Sequence, residues 1–435
     1  MKKIGLLLAL SVIPVLLFAL GKVEPSGGAQ SAQSSVLRFA WWGNPTRDER
    51  TLQLVRLFEQ KNPGVKVETE TANFAGYWDN LAAQAAAGNL PDAMQQDYAY
   101  IEQYNNRNML LDLTPFVQKG IISLSNWSDA ALSGGRLEGK LIGLSLGTNA
   151  WGMEADRDVV QKAGVTIKDT SWTWREFEQA ALQIYQRTGV QTMPMNEHYQ
   201  IIENLVRYFG APMYAKGGKT LGFTTNLQAI AALKELIDIQ IRLKAAGALY
   251  DPEDAFIQRG VAEVLLVPGK TWNNWNWSNQ HVAYVAAAAR PLDFYICPAP
   301  AQTGMKAPFG TYFKPSMLIS ILSSSKNQEL AAKFVNFFAN DVEANRILLA
   351  ERGVPLPSNI IQDLSPRVDP NMKYTFDYIT KAASVSSPID PPDPARAGEA
   401  RDAMRPILLN CLIGRIPPEA AVASMIAAAN AVLSR

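Results

Sequence analysis

Strand patterns alternate with helix patterns from residue 36 onward, and this alternation restricts the fold more than any other feature of the sequence. VLRFAWW has the short apolar run of a strand, and a capping-box spacing at 46–49 begins a helical pattern after it. VKVETE is predicted to be a second strand, YWDNLAAQAAA a second helix and DAMQQ a third strand. Strands separated by helices predict an α/β fold with a parallel sheet.

Ligands of such sheets bind beyond the carboxyl ends of the strands. Three segments are candidates on this argument: 42–44 after the first strand, 96–98 after the third, and 145–149 after LIGLSL. Leu37, Phe39 and Trp41 share one face of the first strand, so Trp41 is predicted to lie in the core. Trp42 lies on the opposite face at the strand end, where exposure is expected.

The N-terminus has the pattern of a secretion signal at 1–21, with Lys2 and Lys3, an apolar run at 4–20 and small residues in the cleavage positions. A polar Gly/Ser/Gln-rich stretch at 22–35 is predicted to be a flexible linker. The alternative is an uncleaved anchor, but 17 apolar residues that include Pro14 are few for a membrane span. A lipoprotein would require a cysteine just after this run, and none is present there. An exported, periplasmic protein is therefore expected.

The composition excludes several classes of function. Without residues 1–21, the chain has 39 basic and 40 acidic residues, a balance that does not favour nucleic acid as a partner. Cys297 and Cys411 lie in apolar patterns and are predicted to be separate buried thiols, although export would permit a disulfide. With His198 and His281 as the only histidines and no zinc-type spacing, neither a metal site nor a cofactor is expected.

A second α/β-like segment begins after residue 150. In SWTWREF, Thr173 and Glu176 have the spacing of a capping box, so Trp172 and Trp174 are expected to pack in the core beside a helix start. FGTYFKPSMLISIL is predicted to be a strand, SKNQELAAKFVNFFA a helix and PPEAAVASMIAAANAVL the final helix.

The stretch TWNNWNWSNQ at 271–280 combines three tryptophans with asparagines. In a strand, Trp275 and Trp277 would share one face. Buried amides without partners cost about 1–3 kcal/mol each, so this mixture favours a sugar site over a dry core. An indole can lie flat on the C–H face of a pyranose while asparagines bond its hydroxyls. The structural alternative is a turn with buried indoles whose N–H groups find local partners.

An exported carbohydrate enzyme is the alternative function. Such an enzyme needs two carboxylates flanking a cleft. Acidic residues are abundant, but GxSxG, HExxH and P-loop motifs are absent from the sequence. A glycoside hydrolase or lyase therefore stays the second hypothesis.

Several segments resemble the extracellular solute-binding proteins of bacterial ABC sugar importers, of the maltose-binding-protein-like type: FAWWG, AAGNLPDAMQ, SWTWREF, TYFKPSMLISI and ERGVPL. The likeness extends from about residue 36 to the end and is greatest to the subset that binds oligogalacturonides and other oligosaccharides. It implies two α/β lobes of the type II periplasmic-binding fold, with a hinge that closes on a sugar. The implied boundaries are 36–147 and 308–350 for lobe 1, and 148–307 and 351–435 for lobe 2. Several maltose-type proteins have an aromatic residue in the region that corresponds to 386–400, whereas this sequence has none there.

The resemblance also implies which residues bind substrate. Trp275 matches a stacking tryptophan of the family and Trp277 the second aromatic of that segment, while the other implied contacts are Trp42, Asn44, Gln96, Asp97, Tyr98, Thr148 and Asn149. Arg47, Lys314 and Arg352 lie in motif regions near the expected cleft and could grip a uronic acid, since arginine can bond a carboxylate twice. As ordinary hinge or surface charges, they would leave a neutral sugar as the ligand.

The expected function is therefore capture of an oligosaccharide and its delivery to the permease subunits of an ABC transporter, by a monomer without catalytic activity. A binding protein that serves a sensor instead of a permease is a weaker alternative.

Overall fold

The computed structural model describes residues 35–195, 199–257, 259–300 and 310–435. The signal peptide predicted at 1–21 lies outside these ranges, as does the linker predicted at 22–35 apart from Ser35, which begins the first strand. His198 lies outside them as well.

The strands of the described ranges are β1 (Ser35–Trp42), β2 (Val65–Ala72), β3 (Ala93–Gln96), β4 (Arg136–Leu137), β5 (Lys140–Leu141), β6 (Leu144–Asp156), β7 (Asn273–Trp277), β8 (Leu292–Ile296) and β9 (Phe313–Ile321). The helices are α1 (Pro45–Lys61), α2 (Phe74–Ala86), α3 (Tyr98–Asn106), α4 (Thr114–Gln118), α5 (Asp129–Ser133), α6 (Arg157–Lys162), α7 (Trp174–Thr188), α8 (Tyr199–Arg207), α9 (Leu227–Ala245), α10 (Pro252–Ala255), α11 (His281–Ala288), α12 (Gln328–Asn340), α13 (Val342–Leu348), α14 (Ser358–Leu364), α15 (Pro370–Ala383), α16 (Ala397–Leu412) and α17 (Pro418–Leu433). Short 3₁₀ turns are present at Val261–Glu263, Ser278–Gln280 and Ser365–Arg367.

The main sheet of the described residues is mixed. Its order is β2-β1-β3-β9-β6-β7, and β8 pairs with β6. Strand β1 is parallel to β2 and β3, whereas the pairs β3–β9, β6–β9, β6–β7 and β6–β8 are antiparallel. The prediction of a parallel sheet therefore holds for the first three strands and is wrong for the rest, because an apolar pattern does not reveal the direction in which a later strand enters the sheet.

Strand β6 joins two parts of the sheet, one formed by β2, β1, β3 and β9 and the other by β7 and β8. Its first part pairs with β9, from Leu144–Ile319 to Ala150–Phe313, with register shifts on both sides of Gly147. Its second part lies between β7 and β8. Segment 145–149, which the sequence analysis places at the end of the strand pattern LIGLSL, is therefore inside a 13-residue strand. The strand continues because new partners replace β9 along its edge.

Apolar cores form on both parts of the sheet. One core contains Phe39, Trp41 and Phe334 around β1, α1 and α12, and another contains Trp174 and Trp275 around β7, α7 and α9. Together with the sheet order, this arrangement is a two-lobe α/β fold. The lobe boundaries stay a prediction.

Three helix starts bear on the later argument. Thr173 and Glu176 form the predicted capping box of α7. The cap of α1, by contrast, is Asn44 and not Thr46: the Asn44 side chain accepts a hydrogen bond from the Arg47 backbone N–H, and Pro45 occupies the first turn. Asp97 caps α3 in the same way through the Ala99 N–H.

Candidate functional site

A cleft of about 460 Å³ lies where β6 and β9 meet the ends of α3, α8 and β7. A second cavity of about 300 Å³ shares four lining residues with it, so the two form one continuous groove, which we call the cleft. The shared residues are Asn149, Asn279, Ser316 and Met317. Because β6 pairs with β9 in its first part and with β7 and β8 in its second, the cleft lies beside the strand that both parts of the sheet share.

Trp277 is the tryptophan that lines the cleft. It is half-buried at the end of β7, where Trp151 and Tyr312 pack edge-on against it at ring-centre distances of 5.3 and 5.9 Å. The Lys314 ammonium lies 5.1 Å from the centre of its ring. Asn279 and Gln280 follow in the next turn and also line the cleft. The end of TWNNWNWSNQ thus combines an indole with amide side chains, as the sequence predicts for a sugar site.

Trp275 does not reach the cleft. It is 1% exposed and packs against Trp174 and Phe177 at ring-centre distances of 5.5 and 5.8 Å. Trp272 is fully buried, and its indole N–H donates to Thr192 Oγ1. The predicted alternation of Trp275 and Trp277 agrees with the β7 register, but the stacking role predicted for Trp275 conflicts with its burial.

Three asparagines of this stretch, Asn273, Asn274 and Asn276, are buried, whereas Asn279 is exposed in the cleft. Asn273 Oδ1 accepts from the Met193 N–H at 2.9 Å, and Asn276 Nδ2 donates to Glu154 Oε2 at 3.2 Å. The other Glu154 oxygen shares a hydrogen bond with His281 Nδ1 at 2.7 Å. Burial raises the pKa of Glu154, while the contacts with His281 and Asn276 lower it. The core does hold these amides, although it was expected to disfavour them: Asn273 and Asn276 each have one bonded atom, while Asn273 Nδ2 and Asn276 Oδ1 are buried without a partner.

Trp42 and Asn44 lie outside the cleft lining. Trp42 is 7% exposed and packs against Tyr77 and Trp78, so its predicted exposure is wrong. Asn44 is exposed, but its side-chain oxygen caps α1. Asn44, which was expected to bind substrate, therefore serves to begin a helix.

The loop after β3 does contribute to the cleft. Asp97 and Tyr98 line it, and the Tyr98 hydroxyl donates to the Asp390 carbonyl at 2.5 Å. Burial raises the pKa of the Tyr98 hydroxyl, which therefore stays protonated near neutral pH. Gln96, by contrast, is fully buried, and its Oε1 accepts from the Asp97 N–H at 2.9 Å. Its expected contact with a sugar is not available in this structure.

The crossover segment contributes one of its two predicted residues. Asn149 lines both cavities of the cleft. Thr148 is fully buried, and its hydroxyl donates to the Lys314 carbonyl at 3.2 Å. Their difference follows from the alternation of side chains along β6.

The three predicted basic residues all line the cleft, but two of them already hold partners. Arg47 Nε donates to Glu351 Oε2 at 2.8 Å. Arg352 is 3% exposed and donates to Gln95 Oε1 and Thr51 Oγ1, each at 2.8 Å. Burial, with a contribution from Arg47, lowers the pKa of Arg352 to about 9. Lys314 is exposed in the larger cavity, so it is the most accessible cation of the three.

Four acidic residues of the cleft were not predicted to bind: Glu203, Asp390 and Asp393 in the larger cavity and Glu351 in the smaller. Glu203 is 6% exposed, and its Oε2 accepts from the Tyr312 hydroxyl at 2.7 Å. Asp390 pairs with Arg207, and Asp393 with Arg401. Burial, with smaller contributions from Asp393 and Asp390, raises the pKa of Glu203 to about 7. An available signal was that Glu203 interrupts the apolar residues of α8, in YQIIENLVR.

The family model of the bacterial extracellular solute-binding proteins matches residues 39–344, and the chain belongs to this family. A binding protein of Brucella abortus is 24% identical over 346 residues, which are 77% of this chain and 76% of that protein.

Solved structures share the fold. An extracellular solute-binding protein of family 1 from Alicyclobacillus acidocaldarius is 27% identical, with a TM-score of 0.82 over 92% of this chain and 98% of the other. A periplasmic oligogalacturonide-binding protein from Yersinia enterocolitica is 21% identical, with a TM-score of 0.75 over 92% and 99%. A protein from Arthrobacter globiformis that binds cyclic α-maltosyl-1,6-maltose is 16% identical, with a TM-score of 0.68 over 92% and 99%. The fold is thus the type II fold of maltose-binding-like proteins.

Further features of the described residues complete the picture. Cys297 and Cys411 are separate buried thiols. Across the described ranges, no cluster of three or more His, Cys, Asp or Glu side chains is placed to hold a metal ion. No helix in the described part of the chain combines the length and apolar character needed to cross a bilayer.

Proposed function

We propose that this protein is the periplasmic component of an ABC importer that captures an oligosaccharide in the cleft and delivers it to membrane permease subunits. The observation that carries the proposal is the position of Trp277 beside Asn149, Asn279 and Gln280 in the cleft. An indole face suits the C–H face of a sugar ring, and the amides supply both donors and acceptors for its hydroxyls. The family of solute-binding proteins supports this function.

The proposal includes closure of the two lobes about β6 and β9, with the lobe boundaries given by the sequence. The register shifts of β6 lie on both sides of Gly147, where an added Cβ atom would lie 2.1 Å from the Arg352 carbonyl oxygen. An irregular strand with closely approaching backbones suits a hinge, because a small change there rotates everything beyond it. Closure requires that the sugar bind the closed form more tightly than the open form.

Within this function we favour a neutral sugar over a uronic one. Among the described residues, Asp97, Glu203, Asp390 and Asp393 line the larger cavity together with one lysine, Lys314. Asp390 and Asp393 pair with Arg207 and Arg401, and Glu203, with its pKa of about 7, is partly protonated near neutral pH. Sugar hydroxyls can donate to these carboxylates, whereas a uronate carboxylate cannot and would be repelled by Asp97. Of the two arginines that could hold a uronate, Arg47 already pairs with Glu351, and Arg352 is buried with its Nε and Nη2 bonded and only Nη1 without a partner.

Titration of tryptophan fluorescence tests the proposal. Malto-, cello- and galacturonic oligosaccharides of matched length are added to the mature protein, to Trp277→Ala and to Trp172→Phe. Trp172 is buried and does not line the cleft, so its variant is the matched control. We expect saturable binding of a neutral series that is weakened in Trp277→Ala and kept in Trp172→Phe. Binding of the galacturonic series alone would overturn the neutral ligand, and failure of the wild type to bind any sugar would overturn the function.

The enzyme hypothesis has one observation in its favour. Glu203 is a carboxyl group with a pKa of about 7 beside the cleft, which is the property of a general acid. The family and the fold are those of binding proteins, and for that reason we propose capture without cleavage. Chromatography of the bound oligosaccharide after prolonged incubation distinguishes the two, since shorter products that disappear in Glu203→Gln would establish catalysis.

A further inference from the structure

Four aromatic residues form a group at the carboxyl ends of β1, β2 and β3, outside the cleft lining. We call Trp42, Phe74, Trp78 and Tyr100 the outer aromatic cluster. Trp78 and Tyr100 stack at 4.2 Å between ring centres with an interplanar angle of 24°. Phe74 begins α2 and packs against Trp42 at 5.4 Å and Tyr100 at 6.4 Å.

Phe74 is exposed although its neighbours hold it in place. It is 44% exposed, and among the described residues the other large apolar side chains with comparable exposure are Val36, Leu227 and Ile257. Of these four, only Phe74 is aromatic. A ring already packed against three others loses little side-chain entropy when a ligand covers it. Its exposed face is therefore available to stack on a flat apolar surface of a ligand.

The outer aromatic cluster is continuous with the cleft. Tyr98 and Met317 line the cleft and pack in the same apolar cluster as Trp42, Trp78 and Tyr100. Tyr100 follows Tyr98 by two residues in the first turn of α3. A chain of sugar rings that leaves the cleft along the carboxyl edge of β1–β3 therefore meets this cluster next.

We propose that Phe74, supported by Trp78 and Tyr100, is an outer stacking subsite for a sugar ring of an oligosaccharide that extends beyond the cleft. The proposal rests on the proposed function and adds a preference for longer chains. The C–H face of a pyranose is flat and apolar, as is the ring of phenylalanine, so contact removes apolar surface on both from water. Short sugars occupy the cleft alone and do not reach Phe74.

A length series tests the outer subsite. Dissociation constants are measured by calorimetry for maltose to maltohexaose, cellobiose to cellohexaose and xylobiose to xylohexaose, with the wild type, Phe74→Ala and Phe74→Trp. Leu227→Ala is the matched control, because Leu227 is 79% exposed and lies on α9. We expect Phe74→Ala to weaken binding of the longest oligomers by about three- to tenfold and to leave the disaccharide unchanged. Phe74→Trp retains the preference for long chains, and Leu227→Ala changes nothing.

Two results would overturn the outer subsite while leaving the proposed function intact. Equal affinities of Phe74→Ala and wild type at every length would show that no sugar reaches the ring. An equal loss at every length, in a variant with an unchanged melting temperature, would place the effect in the cleft itself. If the wild type bound no sugar of any series, the proposed function would fail and the outer subsite with it.

Discussion

Trp275 and Trp277 lie on the same face of one strand, two residues apart, and have different environments. Trp275 is 1% exposed between the aromatic rings of α7, whereas Trp277 lies at the strand end, half-buried, beside the cleft. Their residue type, strand and face are the same. The difference shows that alternation fixes the face on which a side chain lies, while the position of the strand relative to its neighbours fixes the depth.

The largest effect should come from truncating the buried member of the pair. We expect Trp275→Ala to lower the free energy of unfolding by about 3–5 kcal/mol, because it leaves a cavity among Trp174, Phe177 and Trp272. Urea denaturation followed by circular dichroism measures the change. Trp277→Ala is the matched control and should cost clearly less. Equal losses for the two variants would contradict the difference in depth.

The second effect is a pH dependence of stability that comes from a buried carboxyl group beside the cleft, which differs from the carboxyl group in the core. Glu154 is bonded to His281 and Asn276, whereas Glu203 is bonded to the Tyr312 hydroxyl and has a pKa of about 7 against an ordinary value of 4.5. The folded protein therefore binds this proton more tightly than the unfolded chain, which loses it near pH 4.5. As pH rises from about 4.5 to about 7, the free energy of unfolding should fall. The total loss from Glu203 is at most about 3 kcal/mol.

The measurement is a series of denaturation curves across this pH range. Glu203→Gln should have a smaller loss than the wild type, because the amide does not titrate. Parallel pH profiles of the two proteins would refute the assignment to Glu203.

The third effect concerns ligand affinity. We expect Trp277→Ala to weaken oligosaccharide binding by at least about tenfold, because central aromatic contacts dominate many binding sites. Calorimetric titration with the neutral oligomer that the wild type binds best measures it. Trp277→Phe keeps an aromatic ring and should recover part of the loss, while a variant that binds as tightly as the wild type would move the stacking surface elsewhere.

The smallest effect should come from Lys314, whose ammonium lies over the Trp277 ring. A cation–π contact at an exposed site contributes about 0.5–1 kcal/mol, so Lys314→Ala should change affinity for a neutral sugar by about two- to fivefold. Weaker binding by the variant would show that the lysine contributes to sugar binding, and tighter binding that it competes with the sugar for the Trp277 ring. A loss confined to galacturonic oligomers would instead indicate that Lys314 serves an acidic ligand.

The sequence predicted much of the fold for physical reasons that are local. Periodicity identified β1, α1, β2, α2 and β3, and the spacing of Thr173 and Glu176 identified the capping box of α7. Strand direction was not predictable in the same way, because the antiparallel entry of β9 depends on residues far from it in sequence.

The site was less predictable than the fold. Asp97, Tyr98, Asn149, Trp277 and Lys314 line the cleft as expected, but Trp275 and Gln96 are buried. Asn276 is buried because Glu154, 122 residues away in the chain, gives it a partner. A residue pattern states what a side chain needs, and only the fold states whether a distant group supplies it. Glu203 was missed for the same reason, since its position beside Tyr312 arises from packing.

The pairing of strand β6 has a consequence for the cooperativity of folding. It provides hydrogen bonds to β9 in its first part and to β7 and β8 in its second part. Separating the lobes at the predicted boundary after residue 147 would cut β6 and remove the pairing of 148–150 with β9, and unpaired strand edges recruit other chains. The two lobes are therefore expected to unfold together in a single cooperative transition, and separately expressed lobes to aggregate.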